Sequence, residues 1–196
     1  MRWTWRQWYA GLLLAGTLLA SGPAVVGGVD WNRLLAGEVV VETARHPDGL
    51  PGLRASFTVT AARERIWAVL VDYAHFPQLF PDIHQVRVLA QDQDGAQVEF
   101  WIHAIVADYH YVLYRRYDEP GQRLTWTRTA GDFKRIEGSW EIRDTPRPEV
   151  HLLVYESYVD IGGVMPMALV RLVAMRKARE MGERLRHWIE GRPMPE

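Results

Sequence analysis

A long stretch of alternating apolar and polar residues, from Ile83 to Ile161, constrains the fold of this chain more than any other feature. Alternation with a period of two places successive side chains on opposite faces of a β-strand, so each run predicts a half-buried strand. Turn sequences that contain Gly, Pro or Asp separate these runs at residues 92–95, 119–122, 130–132 and 145–148. One further connection, near Val106 to Asp108, lacks Gly and Pro. The pattern predicts an antiparallel meander of six strands.

One long amphipathic helix is predicted after these strands. Between Pro166 and Ile189, apolar residues recur with the 3.6-residue period of an α-helix, and most charged residues fall elsewhere around it. At the helical rise per residue, this helix is about 36 Å long. An apolar helix face of that length needs a matching apolar surface, and the predicted sheet supplies one.

The residues that precede the meander predict a hairpin and a short helix. Residues 38–44 and 53–60 are rich in β-branched side chains and flank a loop dense in Pro and Gly, which predicts a hairpin or one interrupted strand. Thr60 is predicted to cap a helix over Ala61 to Tyr73. The two prolines within Phe76 to Pro81 then predict a short second helix or a turn.

The predicted elements follow the order of a helix-grip fold: a strand, two short helices, six antiparallel strands and a long helix. Local sequences agree, namely WAVLVDY at 67–73, GSW at 138–140, LVY at 153–155 and GG at 162–163. Together they resemble the START-like (SRPBCC) superfamily, which includes polyketide cyclases and coenzyme-Q-binding START-domain proteins. The resemblance implies an α+β fold in which a curved antiparallel sheet wraps around the long C-terminal helix. It also implies binding of a hydrophobic or amphipathic molecule such as a lipid, quinone or polyketide.

The first 24 residues predict a secretory signal peptide. Arg2 and Arg6 precede an apolar run over residues 11–20, and small residues follow at 22–24. We expect cleavage just after residue 24, which places the protein in the periplasm or outside the cell. The alternative is an N-terminal membrane anchor that faces the periplasm, because nothing from Gln7 to Val29 is charged and about 20 apolar residues can span a bilayer.

The rest of the chain is predicted to form one ligand-binding domain. We divide it into an N-terminal linker over residues 25–36, the START-like domain over 37–191 and a tail over 192–196. Cysteine is absent, which excludes disulfides and thiolate metal sites. The 23 basic and 24 acidic residues give a net charge of -1, so the protein lacks the basic character of nucleic-acid binders. Glycine-rich phosphate loops are also missing, and we predict no nucleic-acid partner and no cofactor.

Aromatic residues provide most candidates for ligand contact. Trp126 and Trp140 are the first choices, because Trp140 alternates in phase with the apolar residues Ile136 and Ile142. Gly138 shares this face and is expected to leave room in the cavity. The predicted ligand-binding residues are Phe76, Phe80, Phe100, Tyr111, Trp126, Trp140, Tyr155, Met167 and Val170. The alternative for each of them is ordinary core packing.

Catalysis or metal binding would need other side chains. A cyclase requires a general acid or base beside an enolisable carbonyl. The candidates for that role are His103, Asp108, Tyr111, Arg115 and Tyr155. If the turn centred on Val106-Ala107, His103 and His110 would face one another, and Glu99 would add a carboxylate on the same face. No HExxH or similarly close ligand spacing accompanies them, so we predict no metal.

These observations favour a noncatalytic periplasmic carrier for a hydrophobic small molecule. The alternatives are a secreted polyketide cyclase or aromatase-like enzyme, and a protein-interaction module with a vestigial cavity. Transient membrane contact would use the basic side chains of the last helix, which are Arg171, Arg176, Lys177, Arg179, Arg184 and Arg186. Ligand access is expected between residues 76–81 and Met165 to Met167, because Gly162-Gly163 gives the backbone freedom there.

Overall fold

The computed structural model describes residues 30–104, 107–162 and 167–195. The described residues form four α-helices, eight β-strands and one 3-10 turn at Tyr73–His75. The helices are α1 (Trp31–Leu35), α2 (Arg63–Leu70), α3 (Phe76–Leu79) and α4 (Met167–Ile189). The strands are β1 (Val40–Arg45), β2 (Pro51–Thr60), β3 (Ile83–Gln91), β4 (Gly95–Ala104), β5 (Ala107–Glu119), β6 (Arg123–Gly131), β7 (Arg135–Asp144) and β8 (Val150–Asp160).

All eight strands form one antiparallel sheet in the order β1-β2-β8-β7-β6-β5-β4-β3. Strands β3 to β8 are the predicted six-stranded meander, and β1 and β2 are the predicted hairpin, which pairs with β8. The turn between β3 and β4 forms as expected, because the Asp92 carboxylate accepts the backbone N–H groups of Asp94 at 2.8 Å and Gly95 at 3.0 Å. With α4 packed on this sheet, the α+β helix-grip fold is confirmed.

The main hydrophobic core lies between the sheet and the helices. Ile66 of α2, Leu185 of α4 and Phe57 of β2 are each at most 1% exposed. The Phe57 and Trp140 rings meet edge to face, with centroids 6.1 Å apart. Burying one large apolar side chain stabilises a fold by about 1.5–3 kcal/mol, so this shared core holds the helices on the sheet.

Helix α2 is shorter than predicted, and the predicted cap at Thr60 is wrong. Thr60 belongs to β2, where it pairs with Val150, and its backbone N–H donates to the Glu190 carboxylate at 2.7 Å. Thr60 is therefore part of the sheet, and Ala62 precedes the helix without a side-chain cap. The helix ends at Leu70, after which the 3-10 turn buries Tyr73.

The long helix α4 confirms the predicted C-terminal helix, and its second half is fixed closely to the sheet. Gly182 permits this approach, since a Cβ atom there would lie 3.1 Å from Cδ1 of Phe57. Arg186 donates through Nε to the Thr58 carbonyl at 2.8 Å and through Nη1 to the Gly37 carbonyl at 2.5 Å. The guanidinium carbon also lies 5.7 Å from the Phe57 ring centroid. Its burial is therefore compensated by hydrogen bonds.

The described part of the predicted linker, residues 25–36, is structured. It contains α1, whose Leu34 is 1% exposed and packs with Leu152 and Val154 of β8. This contact buries apolar surface on the opposite side of the sheet from the main core, because alternate residues of β8 face opposite ways. The predicted signal peptide, residues 1–24, lies outside the described residues.

Residues of the predicted tail also contact the domain. The Pro195 carbonyl accepts a hydrogen bond from Nη1 of Arg184 at 3.2 Å, and the Pro193 carbonyl lies 2.5 Å from Nδ1 of His187. Met194 packs against the main core. Over residues 30–104, 107–162 and 167–195, no helix has the length and apolar character needed to cross a membrane.

Candidate functional site

A cavity of about 960 Å³ lies between the sheet and α4. Eight of the nine predicted ligand-binding residues line it: Phe76, Phe80, Phe100, Tyr111, Trp126, Trp140, Tyr155 and Val170. The side chain of the ninth, Met167, lies outside the described part of the structure. The cavity has the size and largely apolar lining of a small-molecule site. Contact between any of these residues and a ligand stays a prediction.

Strand alternation directs Trp140 into the cavity, as the sequence predicted. Ile136, Trp140 and Ile142 are all at most 6% exposed. Glu141 and Arg143 point to the other face of β7, where they form an ion pair at 2.7 Å. The period of two therefore separates the cavity side of β7 from its charged outer side.

The room predicted at Gly138 is occupied by the indole ring of Trp126. Gly138 pairs with Trp126 across β6 and β7, and a Cβ atom at Gly138 would lie 2.3 Å from Cζ2 of that ring. Trp126 in turn stacks on Tyr155 with ring centroids 5.6 Å apart. Tyr155 also contacts Trp140, at 4.8 Å between centroids. Because Gly138 has no side chain, the Trp126 ring can lie against β7, where it forms an aromatic wall with Tyr155 and Trp140.

A second aromatic group includes one residue that the sequence analysis did not select. Phe100 stacks on Tyr111 at 5.3 Å between centroids, and Tyr111 meets Phe133 edge to face at 5.4 Å. Phe133 lines the cavity and is 8% exposed. It lies in the turn between β6 and β7, where strand alternation gives no information. An aromatic residue between Asp132 and Lys134 was the available signal.

Arg115 is a buried cation on β5 and lines the same cavity. It is 5% exposed, and neither Nε nor Nη2 has a hydrogen-bond partner. Its guanidinium carbon lies near three aromatic rings, at 4.9 Å from the centroid of Tyr73 and 5.4 Å from those of Phe76 and Trp126. Among the described residues, no carboxylate forms a salt bridge with it. The cavity therefore contains a positive charge held by aromatic faces.

Two of the tyrosines that line the cavity, Tyr111 and Tyr155, are neutral hydrogen-bonding groups. Burial raises the pKa of Tyr111, and the neighbouring Tyr155 raises it further. Burial likewise raises the pKa of Tyr155. In both cases the positive charge of Arg115 opposes the rise without cancelling it. Both hydroxyls remain protonated at neutral pH and can donate a hydrogen bond to a ligand.

The acid–base candidates divide into two groups. Tyr111, Arg115 and Tyr155 line the cavity, whereas His103 and Asp108 do not. His103 and Asp108 are exposed and lie opposite each other on β4 and β5, with Nδ1 and Oδ1 2.7 Å apart. His103 holds the pKa of the Asp108 carboxyl below its usual range by hydrogen bonding to it. A reaction inside the cavity would therefore use the first group.

The predicted juxtaposition of His103 and His110 is wrong. Ala104 pairs with Ala107, so the connection is centred one residue earlier than expected and His103 faces Asp108. Nε2 of His110 instead lies 2.7 Å from Oε1 of Glu99. Glu99 also accepts a hydrogen bond from Nε of Arg87 at 2.7 Å. Burial alone would raise the pKa of Glu99, but His110 and Arg87 together hold it below its usual value.

A different group of possible metal ligands forms on the surface. His84 joins His103 and Asp108, and the three potential ligand atoms lie within 4.8 Å of one another. All three residues are exposed. This group is separate from the residues that line the cavity.

The six basic residues of α4 do not form one shared face. Arg186 is buried against backbone carbonyls, and Nε of Arg184 donates to the Leu79 carbonyl at 2.8 Å. Nζ of Lys177 lies 3.0 Å from the Asp82 carboxylate, and both residues line the cavity. The hydrogen bond to Asp82 raises the pKa of Lys177. Several of these charges therefore hold α4 in place, and membrane contact stays a prediction.

Comparison with known proteins identifies the family. A family model described as polyketide cyclase / dehydrase and lipid transport matches residues 59–186, about two thirds of the chain. The chain belongs to this family. The matched region of this polyketide cyclase and lipid transport domain extends from the end of β2 to the part of α4 that contains Arg186.

Solved structures of similar fold agree with this assignment. A STAR-related lipid transfer protein from Xanthomonas axonopodis has 19% sequence identity and a TM-score of 0.64, over 77% of this chain and 93% of that one. The Zhui aromatase/cyclase from a Streptomyces species has 16% identity and a TM-score of 0.62, over 77% and 94%. A START superfamily protein from Mycobacterium smegmatis has 19% identity and a TM-score of 0.61, over 79% and 99%. At these identities the likeness extends to the fold alone. None of the curated proteins that were compared has significant sequence similarity to this domain.

Proposed function

We propose that this protein is a periplasmic binding and carrier protein for a hydrophobic or amphipathic small molecule, such as a lipid, quinone or polyketide-like compound. The observation that carries the proposal is the cavity of about 960 Å³ between the sheet and α4, with aromatic side chains on its walls. Such a cavity removes an apolar ligand from water, which is the main source of binding free energy for such molecules. The family description, which includes lipid transport, supports the same function.

The proposed location depends on the N-terminal sequence. A positive, apolar and small-residue order over residues 1–24 supports secretion through the inner membrane and removal of the segment. The aqueous periplasm separates two membranes, so an apolar molecule that crosses it gains from a protein that shelters it. Retention of the segment as an anchor would keep the same domain at the membrane surface.

Membrane contact is part of the proposal, because an apolar cargo is loaded from and delivered to membranes. Leu172 on α4 is 69% exposed and follows Arg171, which lines the cavity. An exposed apolar residue beside a cation suits transient contact with acidic lipid head groups. Cosedimentation with vesicles that contain phosphatidylglycerol tests this step, and Leu172→Asp should reduce it. Equal sedimentation of both proteins would remove this contact from the proposal.

The direct test is to ask what the cavity holds. Protein purified gently from the periplasmic fraction should release a lipid, quinone or related compound on solvent extraction, as detected by mass spectrometry. After removal of that compound, the protein should bind the neutral hydrophobic dye Nile red, with increased dye fluorescence. Absence of both a copurified compound and dye binding would contradict the carrier function and favour an interaction module.

A matched pair of aromatic variants locates the binding. Trp126→Ala removes a cavity wall and should weaken Nile red binding about tenfold or more. Tyr114→Ala alters an aromatic residue that is 39% exposed on β5 and should leave binding unchanged. Loss of a buried Trp costs about 3–5 kcal/mol of stability, so thermal unfolding of each variant must be recorded as well. If a folded Trp126→Ala protein binds Nile red as tightly as wild type, Trp126 does not contribute to the binding site.

The second candidate function is a cyclase or aromatase. Tyr111, Arg115 and Tyr155 favour it, because two hydroxyls and a cation in one cavity can polarise a ligand carbonyl. The similarity to an aromatase/cyclase structure concerns the fold alone. Conversion of a polyketide-like substrate by the purified protein, lost in Tyr111→Phe, would establish this function in place of simple transport.

A further inference from the structure

Two buried arginines of this domain have opposite surroundings. Arg186 is 9% exposed, and its guanidinium donates to backbone carbonyls of Thr58 and Gly37. Arg115 is 5% exposed, and its Nε and Nη2 donate to nothing in the described structure. Buried charged groups are normally paired and hydrogen-bonded, so Arg115 departs from the rule that Arg186 follows. The difference is that Arg115 lines the cavity.

The aromatic rings around Arg115 account for its position but not for its free donors. Tyr73, Phe76 and Trp126 stabilise the positive charge through their ring faces. These ring faces do not replace the hydrogen-bond acceptors that Nε and Nη2 lack. A guanidinium presents its N–H groups in a planar fork, which matches the two oxygens of a carboxylate or phosphate. The rings thus hold, at the wall of the cavity, a guanidinium whose Nε and Nη2 lack acceptors.

The charges along the cavity favour the same kind of ligand. Of the charged residues among the described cavity lining, four are cationic and one is acidic. They are Arg45, Arg115, Arg171, Lys177 and Asp82. The acidic one, Asp82, lies 3.0 Å from Nζ of Lys177, which neutralises it. A cavity with this excess of positive charge attracts anions and repels cations. Tyr111 and Tyr155 line the same cavity, remain protonated and add hydrogen-bond donors to it.

We propose that the natural ligand is an amphiphile with a single oxyanion, which binds the free guanidinium edge of Arg115 while the apolar body contacts the aromatic walls. This inference rests on the proposed binding function and narrows its ligand to acidic molecules. A carboxylate and a phosphate monoester share the required chemistry, because both offer two oxygens to the fork. Neutral molecules of the same apolar shape would leave the donors of Arg115 unpaired and bind more weakly.

The test compares ligands that share one apolar body and differ in the head group. Laurate, dodecyl phosphate and dodecanol are titrated into delipidated protein that carries Nile red, and dye displacement is measured. Wild-type protein should bind at least one of the two anions about tenfold more tightly than dodecanol, and their ratio distinguishes carboxylate from phosphate recognition. Arg115→Gln should lose this preference, because its neutral amide lacks the charge and the fork that hold the anion.

Two further variants control for charge and for folding. Arg115→Lys keeps the charge without the planar fork and should retain only part of the preference. Arg116→Gln changes the next residue on β5, which is 63% exposed at its side chain and pairs with Asp118, and should behave as wild type. Thermal unfolding of each variant confirms that it is folded.

The outcomes separate this inference from the function on which it rests. If wild-type protein binds dodecanol as tightly as both anions, the inference is overturned while the carrier function stands. If folded Arg115→Gln keeps the anion preference, Arg115 is not the receptor and the inference is again overturned. If wild-type protein binds neither Nile red nor any of the three ligands, the proposed function itself fails. The wild-type comparison requires no variant, so it can overturn the inference even if Arg115→Gln does not fold.

Discussion

Replacement of Arg115 by Met should make the ligand-free protein more stable. Arg115 is a buried cation with two unsatisfied donors, Nε and Nη2. Methionine has a similar unbranched shape and an adaptable thioether, so it can fill the same space among Tyr73, Phe76 and Trp126 without a charge. Residues that serve a ligand often cost stability in its absence, and their removal reveals that cost.

The expected gain follows from the contacts of Arg115. Each unsatisfied buried donor costs about 1–3 kcal/mol, so the two donors cost about 4 kcal/mol in the middle of that range. The three rings share one guanidinium, so their contacts together return about 2 kcal/mol, the value for one desolvated cation–π interaction. The difference predicts that Arg115→Met raises the free energy of unfolding by about 2 kcal/mol. For a domain of this size, that corresponds to a rise in Tm of about 4–8 °C.

The assay is thermal and urea unfolding of delipidated protein, followed by circular dichroism. Arg116→Met is the control, because an exposed substitution on the same strand should change stability by at most about 0.5 kcal/mol. Laurate should raise the Tm of wild-type protein and have little effect on Arg115→Met. A fall in the Tm of folded Arg115→Met by several degrees, with no change in Arg116→Met, would refute the reasoning, because it would mean that native contacts already satisfy Arg115.

Three other predictions concern export, ligand exchange and acid stability. Intact mass of the periplasmic protein should place its N-terminus between residues 23 and 29, whereas a membrane-bound species that retains the first residue would show an anchor. Lys177→Gln breaks the ion pair with Asp82 and should speed the release of Nile red by up to about fivefold, because an exposed ion pair contributes at most about 1 kcal/mol. Arg176→Gln is the control variant. Equal acceleration of dye release in both variants would contradict a role for the Lys177–Asp82 pair. The pKa of Glu99 is lower in the folded protein than in the unfolded chain, so the ionised carboxylate stabilises the fold. This stabilisation is fully present above the ordinary glutamate pKa and is lost as the pH falls through the lowered pKa of the folded protein. Glu99→Gln should therefore lose less stability than wild type between neutral pH and about pH 3, and identical acid denaturation of the two proteins would disprove this contribution.

The strands of the fold were predictable because each of them shows the same local pattern, an alternation of apolar and polar residues. Alternation from Ile83 to Ile161 defined the strands of the meander, and the same alternation placed Trp140 on the inner face. The positions of pairs across strands were less predictable, because they depend on where each turn is centred. A shift of one residue in the β4–β5 connection brings Asp108 rather than His110 opposite His103.

The aromatic lining of the cavity was predictable, whereas the unpaired charge in that lining was not. A sequence does not show whether a buried arginine finds acceptors, since these belong to strands distant in the chain. Arg186 donates hydrogen bonds to carbonyl groups more than 120 residues away in the chain, whereas the guanidinium of Arg115 contacts aromatic rings. The filling of the space at Gly138 by Trp126 likewise depends on cross-strand pairing rather than on either residue alone.

The close packing of the second half of α4 on the sheet gives the helix a pivot. Its second half is held at Gly182, where the helix approaches Phe57, and at Arg186, which binds the carbonyls of the sheet. From Gly182 to the start of α4 the distance is about 22 Å, so a rotation of about 10° at the pivot would displace that end by about 4 Å. Motion of this kind would widen the cavity at the end that carries Arg171 and would leave the hydrogen bonds of the eight-stranded sheet intact. A tilt of this one helix would therefore open the cavity without unfolding any strand.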